Sequence, residues 1–258
     1  MLNMIEHASR AAAPDTTPEL LIVHGLYGSA RNWGVIAKRL SDARTVVAVD
    51  QRNHGDSPWC DTHSYEDMAD DLAEVIRTRG APMDVLGHSM GGKAAMVLAL
   101  KYPALVRRLI VADIAPVAYT HSQIQYIEAM RGLDLSAIEK RSDAKAPLEA
   151  LVDDPALVPF FLQSLDVAGK SWRLNLDVLA DEMPKILSFP EIDGQFKGPV
   201  LFLSGANSDY VAREYRPKIK GFFPEARFAK IPGAGHWLHA EKPREFEAAV
   251  RAYLDLAA

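Results

Sequence analysis

Cysteine is almost absent from this 258-residue chain: Cys60 stands alone. That excludes an intramolecular disulfide, and no paired thiol or Cys-x-x-Cys spacing is present to hold a metal or a redox couple. Long hydrophobic runs are missing too. Nowhere do about 18 apolar residues follow one another, so no membrane-spanning helix is expected. The first thirteen residues carry Glu6, His7 and Arg10 where an export signal needs a greasy stretch, so the chain reads as cytoplasmic. Charge of one sign is also lacking. The formal net charge is −5, with acids and bases interspersed, which leaves no electrostatic footprint for nucleic acid. Internal repeats and low-complexity tracts do not occur, and no assembly state follows from the pattern. What remains is a chain that is 48% apolar, enough for a sizeable core at a length where an α/β fold often forms one unit.

Short aliphatic runs recur at 20–24, 45–50, 83–86, 108–113, 200–204 and 227–231, each closed by a turn signal. Near-continuous apolar runs of this length mark strands covered on both faces. Between them lie mixed-charge segments of helical length at 31–41, 65–79, 92–102, 212–222 and 243–256. The alternation predicts an α/β fold with a mostly parallel central sheet flanked by helices. Residues 2–7 read as an added edge strand, and 11–18 as a polar linker. From 116 to 198 the alternation stops. Helical pieces are expected there at 121–131, 136–140, 146–151, 155–165 and 175–187, with no strand. The organisation is therefore a core of 1–115 and 199–258 with a helical cap, 116–198, over the carboxyl ends of the strands, where open α/β sheets bind ligands.

The most telling stretch is Gly87-His88-Ser89-Met90-Gly91-Gly92, which leaves an apolar run and enters a helix-forming segment. A strand, a sharp turn and a helix put a serine hydroxyl at the tip of a strained bend, and the flanking glycines let the two backbones approach. Serine at its ordinary pKa is a poor nucleophile and needs a base within hydrogen-bond reach. His236, in Pro232-Gly233-Ala234-Gly235-His236-Trp237, follows the last apolar run on a glycine-rich loop and is the candidate base. His239 is the weaker candidate, and His24, His54 and His88 read as structural. His-x-x-His at 236 and 239 lacks the other ligands of a zinc site, so no metal and no organic cofactor is expected. The oxyanion donors are assigned to the backbone N–H groups of Leu26, in the loop after the first run, and Met90, at a helix start. An acid must hold the second nitrogen of the imidazole. Asp113, ending a strand run at the same sheet edge as Ser89, is favoured; Asp209 is the alternative, with Ser208 as an auxiliary hydrogen bond. Tyr27, Phe160, Phe161, Trp172 and Trp237 are candidate pocket residues, though core packing accounts for them equally well.

Taken with Asp50-Gln51-Arg52-Asn53-His54-Gly55, Asp113-Ile114-Ala115-Pro116, Asn207-Ser208 and residues 233–243, these stretches resemble the α/β-hydrolase superfamily, and within it the small YbfF-type bacterial carboxylesterases. The likeness runs along most of the chain and is weakest in the cap. It implies a serine esterase with its acid at Asp113. In many α/β-hydrolases the acid lies three residues beyond the glycine that corresponds to Gly205; here that position is Ser208, consistent with the choice of Asp113. The expected partner is a small-molecule ester or acyl thioester, cleaved through an acyl-enzyme. The rival readings are a cofactor-free lyase or carbon–carbon bond hydrolase on the same residues, which a basic pocket holding substrate carboxylates, with Arg52, Lys93 and Arg173 as contributors, would favour, and a non-catalytic ligand-binding protein of the same fold.

Overall fold

A computed structural model describes residues 1–11 and 17–256, so most of the expected linker lies outside the described residues. The strands are β1 (Met4–His7), β2 (Leu20–Val23), β3 (Val46–Val49), β4 (Met83–His88), β5 (Val106–Ala112), a two-residue pair β6 (Leu165–Asp166) and β7 (Ser171–Trp172), then β8 (Val200–Gly205) and β9 (Ala226–Ile231). Seven of them form one sheet in the order β1-β3-β2-β4-β5-β8-β9; β1 runs antiparallel to β3, and the other neighbours are parallel.

β2, β3, β4 and β8 are buried along their whole length, as their unbroken apolar runs require. Alternate residues serve two separate cores. Leu21, Val23, Val85 and Val111 face one side, against helices α2 (Tyr65–Arg79) and α3 (Met90–Lys101). Leu20, Ile22, Leu86 and Ile110 face the other, against α1 (Gly34–Leu40) and the C-terminal helix Pro243–Leu254. The Ser64 hydroxyl caps α2 by accepting the Asp67 N–H at 3.1 Å, and Gly80 ends it in the left-handed conformation (φ 78°). α3 differs from an ordinary amphipathic helix: Met90 through Leu100 are all buried, Lys93 included.

Between β5 and β8 the chain passes through α4 (Ile124–Gly132), α5 (Lys145–Glu149), α6 (Val158–Phe161), the β6–β7 pair, α7 (Leu176–Asp181) and α8 (Met183–Leu187). These pieces are shorter and more broken than the sequence suggests. Residues 136–140 form no helix: the Asp134 carboxylate accepts the Ser136 N–H at 2.9 Å, a local bond that competes with helix nucleation. The expected 155–165 helix is one α turn between 3-10 turns: Pro155 opens the first of them, and Pro159 within the segment cannot donate to a continuing helical ladder. Pro184, in the first turn of α8, accompanies the break after α7. The strand pair was not expected either; Lys170 turns it with φ 49°. The segment meets the core at the loops following β2 and β3, where Tyr27 donates to the Gln123 carbonyl, Ser164 to the Tyr27 carbonyl, and the Asn175 N–H to the Asn53 carbonyl.

The last elements are α9 (Arg216–Phe222), α10 (Leu238–Glu241) and α11 (Pro243–Leu254). From β2 the chain moves outward to β3 and then returns to β4 on the opposite side, so the order reverses between β2 and β4. The loops leaving those two strands therefore face one another across the sheet edge where a crevice opens. Among the described residues, no helix is long and apolar enough to cross a membrane.

Candidate active site

Ser89 stands at that crevice, between β4 and α3, with φ 52° and ψ −123°. A non-glycine residue held there stores about 1–3 kcal/mol of backbone strain. The surroundings enforce the bend. A Cβ on Gly87 would lie 2.3 Å from the Gly91 carbonyl oxygen, and one on Gly91 would lie 2.4 Å from the carbonyl oxygens of both Val23 and His24. The two glycines thus let β4, α3 and the end of β2 close on one another and leave the serine at the apex.

His236 reaches Ser89 from a loop 147 residues away in sequence: its Nε2 is 3.1 Å from Ser89 Oγ. Its Nδ1 lies 2.8 Å from Asp113 Oδ2. A carboxylate can only accept, so Nδ1 carries the proton and Nε2 is left to accept from the serine hydroxyl. Asp113 is fully buried immediately after β5 and is also strained, at φ 52°. Its Oδ1 accepts the Gly205 N–H at 3.0 Å, and its Oδ2 also accepts the Ser208 hydroxyl at 2.5 Å. Ser208 in turn accepts the Tyr210 N–H. Asp209 is exposed and makes no contact with the imidazole, because the chain presents Ser208 and not its neighbour to Asp113. Tyr210 stacks on the other side of the imidazole, with ring centres 4.1 Å apart.

The N–H groups of Leu26 and Met90 have no backbone acceptor among the described residues. Their neighbours do have partners. The Tyr27 N–H is taken by His54 Nε2 at 3.2 Å, and the Gly28 N–H by the Gly25 carbonyl. The buried histidines hold this framework. His24 accepts the Gln51 N–H, His54 donates Nδ1–H to the Arg52 carbonyl, and His88 donates Nε2–H to the His236 carbonyl at 2.9 Å. Burial lowers the pKa of all three. His24 and His54 each donate on one side of the ring and accept on the other, as a neutral imidazole does.

Ser89, Leu26 and Met90 line an inner cavity of about 30 Å³, together with Tyr65, Lys93 and Tyr119. An outer cavity of about 260 Å³ is lined by Tyr27, Phe161, His236 and Trp237, and shares Leu26, His121, Gln123 and Tyr210 with the inner one. Phe160 packs on Trp237 at 4.6 Å and faces a separate surface groove, not the cavity beside Ser89. Trp172 is a correction. It lines none of these cavities; its indole donates to the Met130 carbonyl at 2.9 Å within the inserted segment, so its ring is spent on packing. Sequence reasoning missed Tyr119, Gln123 and Tyr210, which sit in irregular loops that carry no periodic signal. His239 stacks on Trp33 at 4.2 Å and does not converge with His236 on a shared point. Among the described residues, no group of three or more His, Cys, Asp or Glu is placed to hold a metal ion.

Comparison with known proteins agrees with this fold. A family model for the alpha/beta hydrolase fold matches residues 18–243. The chain is 42% identical over 250 residues to the sn-1-specific diacylglycerol lipase ABHD11 of Mus musculus, covering 93% of this chain and 81% of that protein. It is 38% identical over 240 residues to esterase YbfF of Escherichia coli, covering 92% of each. A solved marine microorganism esterase superposes with a TM-score of 0.90 at 37% identity, covering 98% of both chains. The chain belongs to the α/β-hydrolase fold family, and it is an enzyme of the esterase and lipase type.

Proposed function

We propose that this enzyme cleaves carboxylic esters, and acyl thioesters by the same route, through a covalent acyl-enzyme on Ser89. The observation that carries the reading is the unbroken relay from Ser89 Oγ through His236 to buried Asp113, beside two backbone N–H groups without an acceptor. His236 takes the hydroxyl proton as Ser89 attacks the acyl carbon. The Leu26 and Met90 N–H groups receive the oxyanion, each worth about 3–4 kcal/mol of transition-state stabilisation in such sites. Imidazolium then protonates the departing alkoxide or thiolate, and water activated by the same imidazole releases the acid. Asp113 holds the tautomer and stabilises the imidazolium, while Ser208 and the Gly205 N–H fix the carboxylate.

Residues 116–198 act in this reading as a cap that encloses the crevice and sets substrate size. Tyr27, Phe161 and Trp237 give the outer cavity an apolar wall. The test is turnover of short p-nitrophenyl esters together with labelling by a fluorophosphonate probe. One equivalent of label on the peptide containing Ser89, with loss of turnover in proportion, is the expected result. Turnover that survives full labelling would overturn the mechanism.

The acid assignment has its own test. Asp113→Asn is expected to lower kcat by roughly 10⁴, because the amide favours the wrong imidazole tautomer. Asp209→Asn, at an exposed position outside the relay, is expected to change kcat only slightly. A larger loss from Asp209→Asn than from Asp113→Asn would reverse the assignment.

A further inference from the structure

Lys93 has no task in the acyl-transfer scheme, yet it is buried to 1% exposure against the nucleophile's cavity. It lies one helical turn beyond Ser89, its N–H bonded to the Ser89 carbonyl at 3.1 Å. Helical side chains lean toward the N-terminus, so this one runs back along α3 into the inner cavity. The ammonium donates to the carbonyls of Leu187 at 3.0 Å and Ser188 at 2.5 Å, and lies 4.8 Å from the centre of the Tyr119 ring. An ammonium has three N–H donors; among the described residues it has two carbonyl acceptors, and beyond them only the faces of Tyr119 and, at 5.6 Å, Tyr65. No carboxylate pairs with it either. The charge felt most at Lys93 is Lys218, of the same sign, and burial lowers the Lys93 pKa to about 7.

The other two bases that could build an anion-binding pocket are already paired. Arg52 pairs with Asp71 at 2.6 Å and Arg173 with Asp56 at 2.8 Å. Lys93 faces a cavity with an N–H to spare, and an anionic ligand there would hold the buried amine in its charged form. The geometry also says which half of the substrate carries the anion. His236, which must protonate the leaving group, lines the outer cavity and not the inner one. The leaving group therefore departs outward, and the acyl part occupies the inner cavity.

We propose that Lys93 is a specificity-determining residue that binds a carboxylate at the far end of the acyl group, so that the preferred substrates are half-esters or half-thioesters of short dicarboxylic acids. This rests on the ester-hydrolysis reading above and narrows its substrate class.

The experiment compares monomethyl succinate, glutarate and adipate with methyl esters of isopropyl-ended alkanoates of matching length, followed by methanol release. Wild type is expected to favour the charged member of at least one pair by about ten- to a hundredfold in kcat/KM. Lys93→Met is expected to abolish that ratio, and Lys93→Arg to retain part of it. Preference for the uncharged member in all three pairs overturns the proposal. So does an equal loss for both members of a pair in Lys93→Met, which would make Lys93 only a tie to residues 187–188. A second measurement needs no turnover: calorimetric binding of monomethyl glutarate to Ser89→Ala and to Ser89→Ala/Lys93→Met. At least roughly tenfold weaker binding by the double variant is expected. Equal affinities overturn the anchor, whatever the hydrolysis shows. Uncharged esters turned over without charge preference defeat the anchor alone; no ester turned over, with Lys93-dependent binding intact, defeats the hydrolysis reading alone.

Discussion

Replacing Ser89 by alanine is expected to remove about six orders of magnitude from kcat, because a nucleophile and its base act as one unit and the loss of either disables both. A residual rate of 10³–10⁴ over water is expected to remain, since the Leu26 and Met90 N–H groups still polarise a bound carbonyl. The measurement is ester turnover by purified variant, with fluorophosphonate labelling as a second readout that should vanish. Folding is not expected to suffer, because alanine meets the same φ of 52° that serine does. Ser89→Gly separates chemistry from strain further. It is equally inactive, but relief of about 1–2 kcal/mol of backbone strain is expected to raise Tm by a few degrees. An active Ser89→Ala protein would dismantle the mechanism; a Ser89→Gly protein that melts lower than Ser89→Ala would remove the claim that the turn is strained.

The sheet was legible in the sequence because its central strands are buried on both faces, which forces apolar runs such as 20–23 and 200–203 that few helices show. Ser89 was legible for a steric reason. The bend requires bare backbone at Gly87 and Gly91, and those glycines frame it in the sequence. The pairing of Asp113 with the imidazole was accessible from its strand-end position and from the serine at 208, where an acid is more usual. The inserted segment was harder. Its helices are one to two turns long, several are set by prolines, and their ends are fixed by tertiary contacts, so periodicity over such lengths carries little information. Cavity lining was least legible. Trp172 and Phe161 look alike as aromatic residues of that segment, and only the fold directs Phe161 toward Tyr27 and Trp172 toward Met130. The three candidate bases were equivalent on paper as well. Arg52 and Arg173 found carboxylates, and Lys93 did not.

The histidine framework that braces the site also makes the fold acid-labile, and loss of stability between pH 7.5 and 5 is the second large effect expected. Five histidines have a lowered pKa in the fold, with burial the leading cause in each: His24, His54, His63, His88 and His239. Unfolded, each takes a proton near pH 6.5. Folded, His63 and His239 hold off to about 3. Between those values the unfolded chain binds more protons than the native one, so stability falls as pH falls, beginning near 6.5. For these two alone the loss at pH 5 is about 2 kcal/mol each. His24, His54 and His88 add to it in the same direction. Buried Asp84 works in the opposite sense, since burial raises its pKa against the pull of Arg107 and Arg44. A domain has only about 5–15 kcal/mol to lose, so Tm is expected to drop by at least about 10 °C across this range. His239→Phe isolates one contribution. Its Nδ1 is buried without a partner and its ring stacks on Trp33, so a phenyl ring forfeits no hydrogen bond at that atom and keeps the stacking face. The variant is expected to lose about 2 kcal/mol less than wild type on going from pH 7.5 to 5, read from urea unfolding at both values. A wild-type stability that stays flat over that interval would mean these imidazoles protonate inside the fold, and the account of them as neutral donors and acceptors around Ser89 and His236 would have to be given up.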